Sequence, residues 1–113
     1  ETVNALADHP RIVAVKEASS DVGQSLEKMR LVRDNAVFYS GNDDIIVPTM
    51  ACGFKGVVSV LSNIAPRETV AMTHAALAGD FATAAALQIR LLPLINALFC
   101  DHGISSLDYD IWK

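Results

Sequence analysis

Lys16 closes the apolar run Arg11-Ile12-Val13-Ala14-Val15 and is followed at once by Glu17-Ala18-Ser19-Ser20. The β-branched stretch, bounded upstream by Pro10, reads as a buried strand of a parallel sheet. In α/β proteins ligands gather at the carboxyl ends of such strands, which is where this lysine stands. An ammonium group there loses part of its hydration, which favours the neutral amine. A neutral amine is a nucleophile, and its natural target is a carbonyl carbon, giving a Schiff base. Taken alone, Lys16 is better accounted for as a strand-end lysine whose long stem carries its charge into solvent. The downstream sequence has to decide.

That sequence alternates strand and helix. Ser19, Ser20 or Asp21 can cap a first helix whose apolar face is Val22, Leu26, Met29 and Val32 or Leu31, ending at Asp34-Asn35. Ala36-Val37-Phe38-Tyr39-Ser40 is a second short strand, stopping at Gly41. Asn42, Asp43 and Asp44 open a second helix carrying Ile45, Ile46, Pro48, Met50 and Ala51 up to Gly53. Gly56-Val57-Val58-Ser59-Val60-Leu61 is a third buried strand with Ser62-Asn63-Ile64-Ala65 as its loop. Pro66 suits the first turn of a third helix, with Val70, His74 and Leu77 on one face and Gly79 as its stop. Asp80 can cap a last apolar helix over Phe81 to Phe99, in which Pro93 predicts a kink or break.

Composition narrows the class. With 51% apolar and 19% charged residues and a formal net charge of −4, the chain is a globular α or α/β protein rather than a disordered one. An acidic balance without basic patches argues against a nucleic-acid partner. Arg90, Gln88 and Pro93 break the longest apolar stretches short of the roughly 20 residues of a membrane span, so no membrane partner is expected. No basic segment followed by a short apolar core is visible at the start of residues 1–113, so a secretory signal is not expected. Cys52 and Cys100 lack metal or redox spacing, which fits two free thiols in a reducing cytoplasm. His9, His74 and His102 are scattered and read as loop or helix-face residues.

Three strands joined by helices imply right-handed crossovers and a parallel sheet. Such a sheet must be covered on both faces or closed into a barrel. An eight-fold barrel takes about 250 residues, so 113 residues are expected to be part of one. The opening Glu1-Thr2-Val3-Asn4-Ala5-Leu6-Ala7 reads as the middle of a helix, in keeping with a piece of a longer protein.

Val15-Lys16-Glu17-Ala18-Ser19, Tyr39-Ser40-Gly41-Asn42-Asp43-Asp44 and Gly56-Val57-Val58-Ser59-Val60-Leu61-Ser62-Asn63 resemble, in order and spacing, successive signatures of the dihydrodipicolinate synthase family, which also contains N-acetylneuraminate lyase and related pyruvate aldolases. Each motif alone is weak, and the three together are specific. The resemblance covers about residues 3 to 100. It implies an α/β fold, the C-terminal portion of a TIM (β/α)8 barrel with about strands six to eight and the following helices. Residues 1–100 would form the partial barrel and 101–113 an atypical tail. The Ser-Gly-Asn-Asp-Asp form is more similar to the synthases than to the sugar-acid lyases.

By this resemblance Lys16 matches the lysine that captures pyruvate as a Schiff base, and Gly41 the glycine that leaves room beside the bound keto acid. Val58 matches the position whose main-chain carbonyl faces the substrate, and Asp43 and Asp44 an acidic pair near the entry of the aldehyde. From their types alone, Asp43 and Asp44 also suit helix capping, and Gly41 a simple strand-to-helix turn. Glu17 should point away from Lys16 and be structural. The implied reaction condenses pyruvate, through an enamine on Lys16, with L-aspartate-4-semialdehyde to give 4-hydroxy-tetrahydrodipicolinate for lysine and diaminopimelate biosynthesis. It requires no metal or organic cofactor.

Departures temper this. The family's proton-shuttling tyrosine, carboxylate-binding arginine and threonine pair have no counterpart here, and Tyr39 does not match that tyrosine. The tail Asp101 to Lys113 does not resemble the family; it is expected to be poorly ordered unless Trp112 finds an apolar pocket, and could be a frameshifted or truncated end or a cloning remnant. A sister pyruvate aldolase with another aldehyde therefore stays open, as does an inactive half-barrel that serves only as an oligomerising unit. Unpaired strand edges and bare apolar faces predict a homo-oligomer, a dimer or tetramer.

Overall fold

The computed structural model describes residues 2–99. Helix α1 (Thr2–Ala7) leads by a tight turn into strand β1 (Ala14–Glu17). Helix α2 (Val22–Val32) follows, then strand β2 (Val37–Ser40), helix α3 (Ile46–Ala51), helix α4 (Pro66–Leu77) and helix α5 (Phe81–Leu98). Short 3₁₀ turns occupy Arg33–Asn35, Asp43–Ile45 and Leu61–Asn63. Cys100, His102 and the tail 101–113, with Trp112, lie outside the described residues.

Local chemistry sets the helix ends. Asp21 caps α2 by accepting the Gln24 amide at 3.1 Å, and Asp80 caps α5 by accepting the Thr83 amide at 3.2 Å. Pro66 sits in the first turn of α4. Gly53 and Gly79 follow α3 and α4 with φ of 114° and 82°, values that a side chain would resist.

β1 and β2 pair in parallel, Ala14 with Val37, Val15 with Phe38, Lys16 with Tyr39 and Glu17 with Ser40. The third strand expected over residues 56–61 is reduced to one parallel bridge, Ser40 to Val57, with Val58 N donating to Ser40 O at 2.8 Å. Asp43 captures the Val60 and Leu61 amides and the chain turns into a 3₁₀ helix at Leu61, so the segment leaves the ladder early.

The two faces of this ribbon differ. Glu17, Phe38 and Ser40 are buried toward the helices, where Phe38 meets Phe54 with ring centroids 5.5 Å apart. Ala14, Lys16, Val37 and Val58 are exposed on the opposite face. The core gathers Val32, Phe38, Ile46, Met50, Leu61, Met72, Ala84, Leu91, Ile95 and Leu98.

Two helical faces differ from expectation. α4 buries Thr69, Met72 and Ala76, whereas Val70, His74 and Leu77 point outward. α2 buries Ser25 and Val32 and leaves Leu26 exposed. Both stripes are apolar at helical spacing, so periodicity cannot distinguish the face met by the core from one left bare. Pro93 does not break α5, which is continuous over 18 residues. By length and composition α5, with a mean hydropathy of 1.4, is apolar enough to cross a membrane, contrary to the expectation drawn from Gln88, Arg90 and Pro93. Here one face of it packs along α4 and α3, and the rest of its surface is largely exposed.

Candidate functional site

Lys16 is the third residue of β1 and projects from the face that carries no helices. The alternation of a strand puts its neighbour Glu17 on the other face. Glu17 is buried there, its carboxylate 2.8 Å from the Lys28 ammonium on α2 and accepting the Ser19 amide at 2.9 Å. Glu17 thus ties the strand to its following helix and leaves Lys16 as the cation at the strand end. Lys16 itself is exposed, not partly desolvated as the apolar run suggests, because nothing among the described residues covers that face.

The turn after β2 closes against this lysine. Gly41 N donates to Glu17 O at 2.7 Å, and the Asn42 side-chain amide donates to Ala18 O at 3.0 Å. The loops at the ends of β1 and β2 are therefore stitched together. A Cβ added at Gly41 would lie 2.9 Å from Lys16 Cε and 3.2 Å from Ala18 Cβ. Space at Gly41 is limited by the close approach of the Lys16 stem and Ala18 rather than by a left-handed backbone.

Val58 comes to the same end of the sheet through its hydrogen bond to Ser40 O and is half exposed. The acidic pair divides. Asp44 is exposed, whereas Asp43 is buried with its carboxylate fully engaged. Ser59 Oγ donates to it at 2.5 Å, Val60 N at 3.0 Å and Leu61 N at 3.1 Å. Asp43 is a cap after all, but for the 3₁₀ turn that follows the third segment and not for its own helix. Its partners Ser59 and Gln88, the latter donating to Asp43 O at 2.8 Å, were not singled out from sequence. A lone glutamine in an apolar helix was the available signal.

Elsewhere the surface holds less chemistry. A cavity of about 370 Å³ lined by Met29, Arg33, Asp34, Phe38, Gly53 and Lys55 lies at the opposite, amino-terminal end of β2, away from Lys16. Cys52 is an exposed free thiol, and among the described residues no cluster of three or more His, Cys, Asp or Glu could hold a metal ion. His9 accepts the Arg11 amide in a loop and His74 lies exposed on α4, as their scatter suggested.

An amine at a strand end, a glycine that makes room beside it and two loops converging on it suit the capture of a small carbonyl compound. Comparison with known proteins places the chain in a family. A 4-hydroxy-tetrahydrodipicolinate synthase of an Exiguobacterium species is 54% identical over 101 residues, which is 89% of this chain and 34% of that protein. The enzyme of the same name from Geobacter sulfurreducens is 46% identical over 91% of this chain and 36% of its own length. Among solved structures, the dihydrodipicolinate synthase of Aquifex aeolicus superposes with a TM-score of 0.82 at 33% identity, over 88% of this chain and 34% of that one. A variant described as the first monomeric dihydrodipicolinate synthase gives 0.84 at 30% identity, over 90% and 35%. The chain thus spans about a third of the length of the relatives it matches, and the solved ones are TIM barrels. The model of the dihydrodipicolinate synthetase family matches residues 1–111, and the chain belongs to that family.

Proposed function

We propose that this chain is the pyruvate-binding part, about strands six to eight, of a TIM-barrel lyase that condenses pyruvate with L-aspartate-4-semialdehyde to 4-hydroxy-tetrahydrodipicolinate. The observation that carries the reading is the meeting of Lys16 and Gly41 at the carboxyl ends of β1 and β2. Lys16 attacks the keto carbon of pyruvate, water leaves, and the resulting imine draws electrons from the methyl carbon so that a proton departs and an enamine forms. The enamine carbon then attacks the aldehyde, whose oxygen takes up a proton to become the 4-hydroxyl. The amino group of the former semialdehyde displaces the lysine amine from the imine carbon, which closes the ring and returns Lys16 free. Gly41 keeps the space beside the imine open. Val58 stands beside the same strand end, where its main-chain carbonyl serves the bound substrate. Asp44, not the engaged carboxylate of Asp43, is the acid free to meet the incoming aldehyde.

The open face opposite the helices is that of a barrel interior. Cover for it comes from further barrel strands or from copies of this chain in a dimer or tetramer. Residues 1–113 hold no counterpart of the implied tyrosine and arginine, and a lost general acid–base group alone costs about 10²–10⁴-fold. Turnover by this chain alone is therefore expected to be very weak, and a rate normal for an intact enzyme would contradict the reading. Incubation with pyruvate and borohydride, followed by peptide mapping, tests the site. A reduced adduct concentrated on Lys16 supports it, and equal labelling of Lys28, Lys55 and Lys113 refutes it.

A further inference from the structure

Gln88 is buried in the middle of α5, among Ala84, Leu91 and Ile95. A side-chain amide in such surroundings costs free energy unless both its ends are bonded. Both are. Its Nε2 donates to Asp43 O at 2.8 Å and its Oε1 accepts the Val47 amide at 3.0 Å. The glutamine therefore clamps the main chain on either side of the 3₁₀ turn Asp43–Ile45, more than forty residues away in sequence.

What is clamped has a second end. The Asp43 carboxylate takes Ser59 Oγ at 2.5 Å and the Val60 and Leu61 amides, and Ser59 Oγ in turn accepts the Ser62 amide at 2.9 Å. No buried side-chain polar atom among the described residues is left without a partner. A continuous polar path thus runs from α5 through Asp43 to residues 59–62. The adjoining Val58 amide is fixed to Ser40 O, one residue before the glycine that packs on Lys16 Cε. If Gln88 served packing alone, leucine would fill the same volume without polar atoms to satisfy.

We propose that Gln88 is a positioning residue: acting through Asp43 and Ser59, it holds the Val58–Leu61 segment at the mouth of the Lys16 site and thereby sets the affinity for the keto acid. The proposal rests on the reading of Lys16 as the pyruvate-binding amine. It predicts an effect on pyruvate concentration dependence that a purely structural glutamine would not have.

The test is borohydride trapping on the 113-residue chain over a series of pyruvate concentrations, with Gln88→Leu and Ser59→Ala variants. Ser59→Ala removes one hydroxyl near the surface and decides the matter if Gln88→Leu does not fold. Removing one buried polar link is expected to raise the half-saturating pyruvate concentration about tenfold, with the plateau of Lys16 labelling unchanged. Half-saturation within about twofold of the unsubstituted chain in the folded variants overturns the inference and leaves the proposed function standing. A lowered plateau with unchanged half-saturation also overturns it, since that is the mark of a role in stability alone. Failure to label Lys16 preferentially in the unsubstituted chain removes the proposed function, and this inference with it.

Discussion

Gly41→Ala is the substitution on which the geometry speaks most directly. The new methyl carbon would stand 2.9 Å from Lys16 Cε, 3.2 Å from Ala18 Cβ and 3.3 Å from Ala18 Cα. Ordinary carbon contacts are ~3.5–4.0 Å, so the lysine stem must retreat by about 0.6–1.1 Å. Lys16 Cε lies near the end of a flexible, exposed side chain and can move cheaply. Ala18 cannot, because its carbonyl is held by Asn42 and its neighbour's carbonyl by Gly41 itself. Overpacking of this kind costs about 1–3 kcal/mol, and the narrower unfolded ensemble of alanine returns about 0.4–1 kcal/mol. The net loss of stability is about 0–2.6 kcal/mol.

The effect on the amine should be the larger of the two. A reacting group displaced by about 1 Å loses on the order of a hundredfold in rate. Gly41→Ala is therefore expected to slow pyruvate trapping at Lys16 by about ten- to a hundredfold while shifting the thermal midpoint by ~10 °C or less. Trapping rates from peptide mapping and melting by circular dichroism, on the same preparations, give both numbers. Undiminished labelling in a folded Gly41→Ala variant would refute the claim that this glycine exists to make room for the lysine.

Asp43→Ala leaves two amides and a hydroxyl without their acceptor, so it should destabilise the chain by about 3–5 kcal/mol in urea unfolding, and a loss below about 1 kcal/mol would contradict the assigned cap. The side chain and amide of Thr83, in that order of effect, hold the Asp80 carboxyl below its ordinary pKa. A depressed carboxylate stabilises above its unfolded pKa and loses that contribution as pH falls through the folded one; Asp80→Ala should therefore lower the melting temperature at neutral pH, with the difference shrinking below about pH 4, and a pH-independent difference would refute the cap. Exposed Val37 and Val58 on the open face predict association to dimers or tetramers in sedimentation equilibrium, and a compact monomer at micromolar concentration that binds no apolar dye would refute it.

Much of the fold was legible because its punctuation is local. Asp21, Asp80, Pro66, Gly53 and Gly79 fix helix ends by interactions within a few residues, and they stand where the sequence puts them. Glu17 was legible for the same reason, since strand alternation alone separates it from Lys16. The buried face of α4 was not, because Val70 and Leu77 are as apolar as Met72 and only the tertiary neighbours choose between them. The Asp43 network was hidden more deeply. Its partners are 16 to 45 residues away, and an aspartate opening a helix looks the same whether it caps its own turn or another's.

Lys16 shows how position and environment come from different parts of a barrel. Its place on the strand, the stitched loops around it and the gap at Gly41 are all supplied within residues 14–63. Loss of water around the amine is not, because it depends on what faces the strands from across the barrel axis. An amine exposed at the strand end can meet a carbonyl compound from solvent, but nothing among the described residues shuts water out around it. Closure of the open face, by further barrel strands or by another copy of the chain, would therefore change the reactivity of Lys16 without moving a single atom of the loops that hold it.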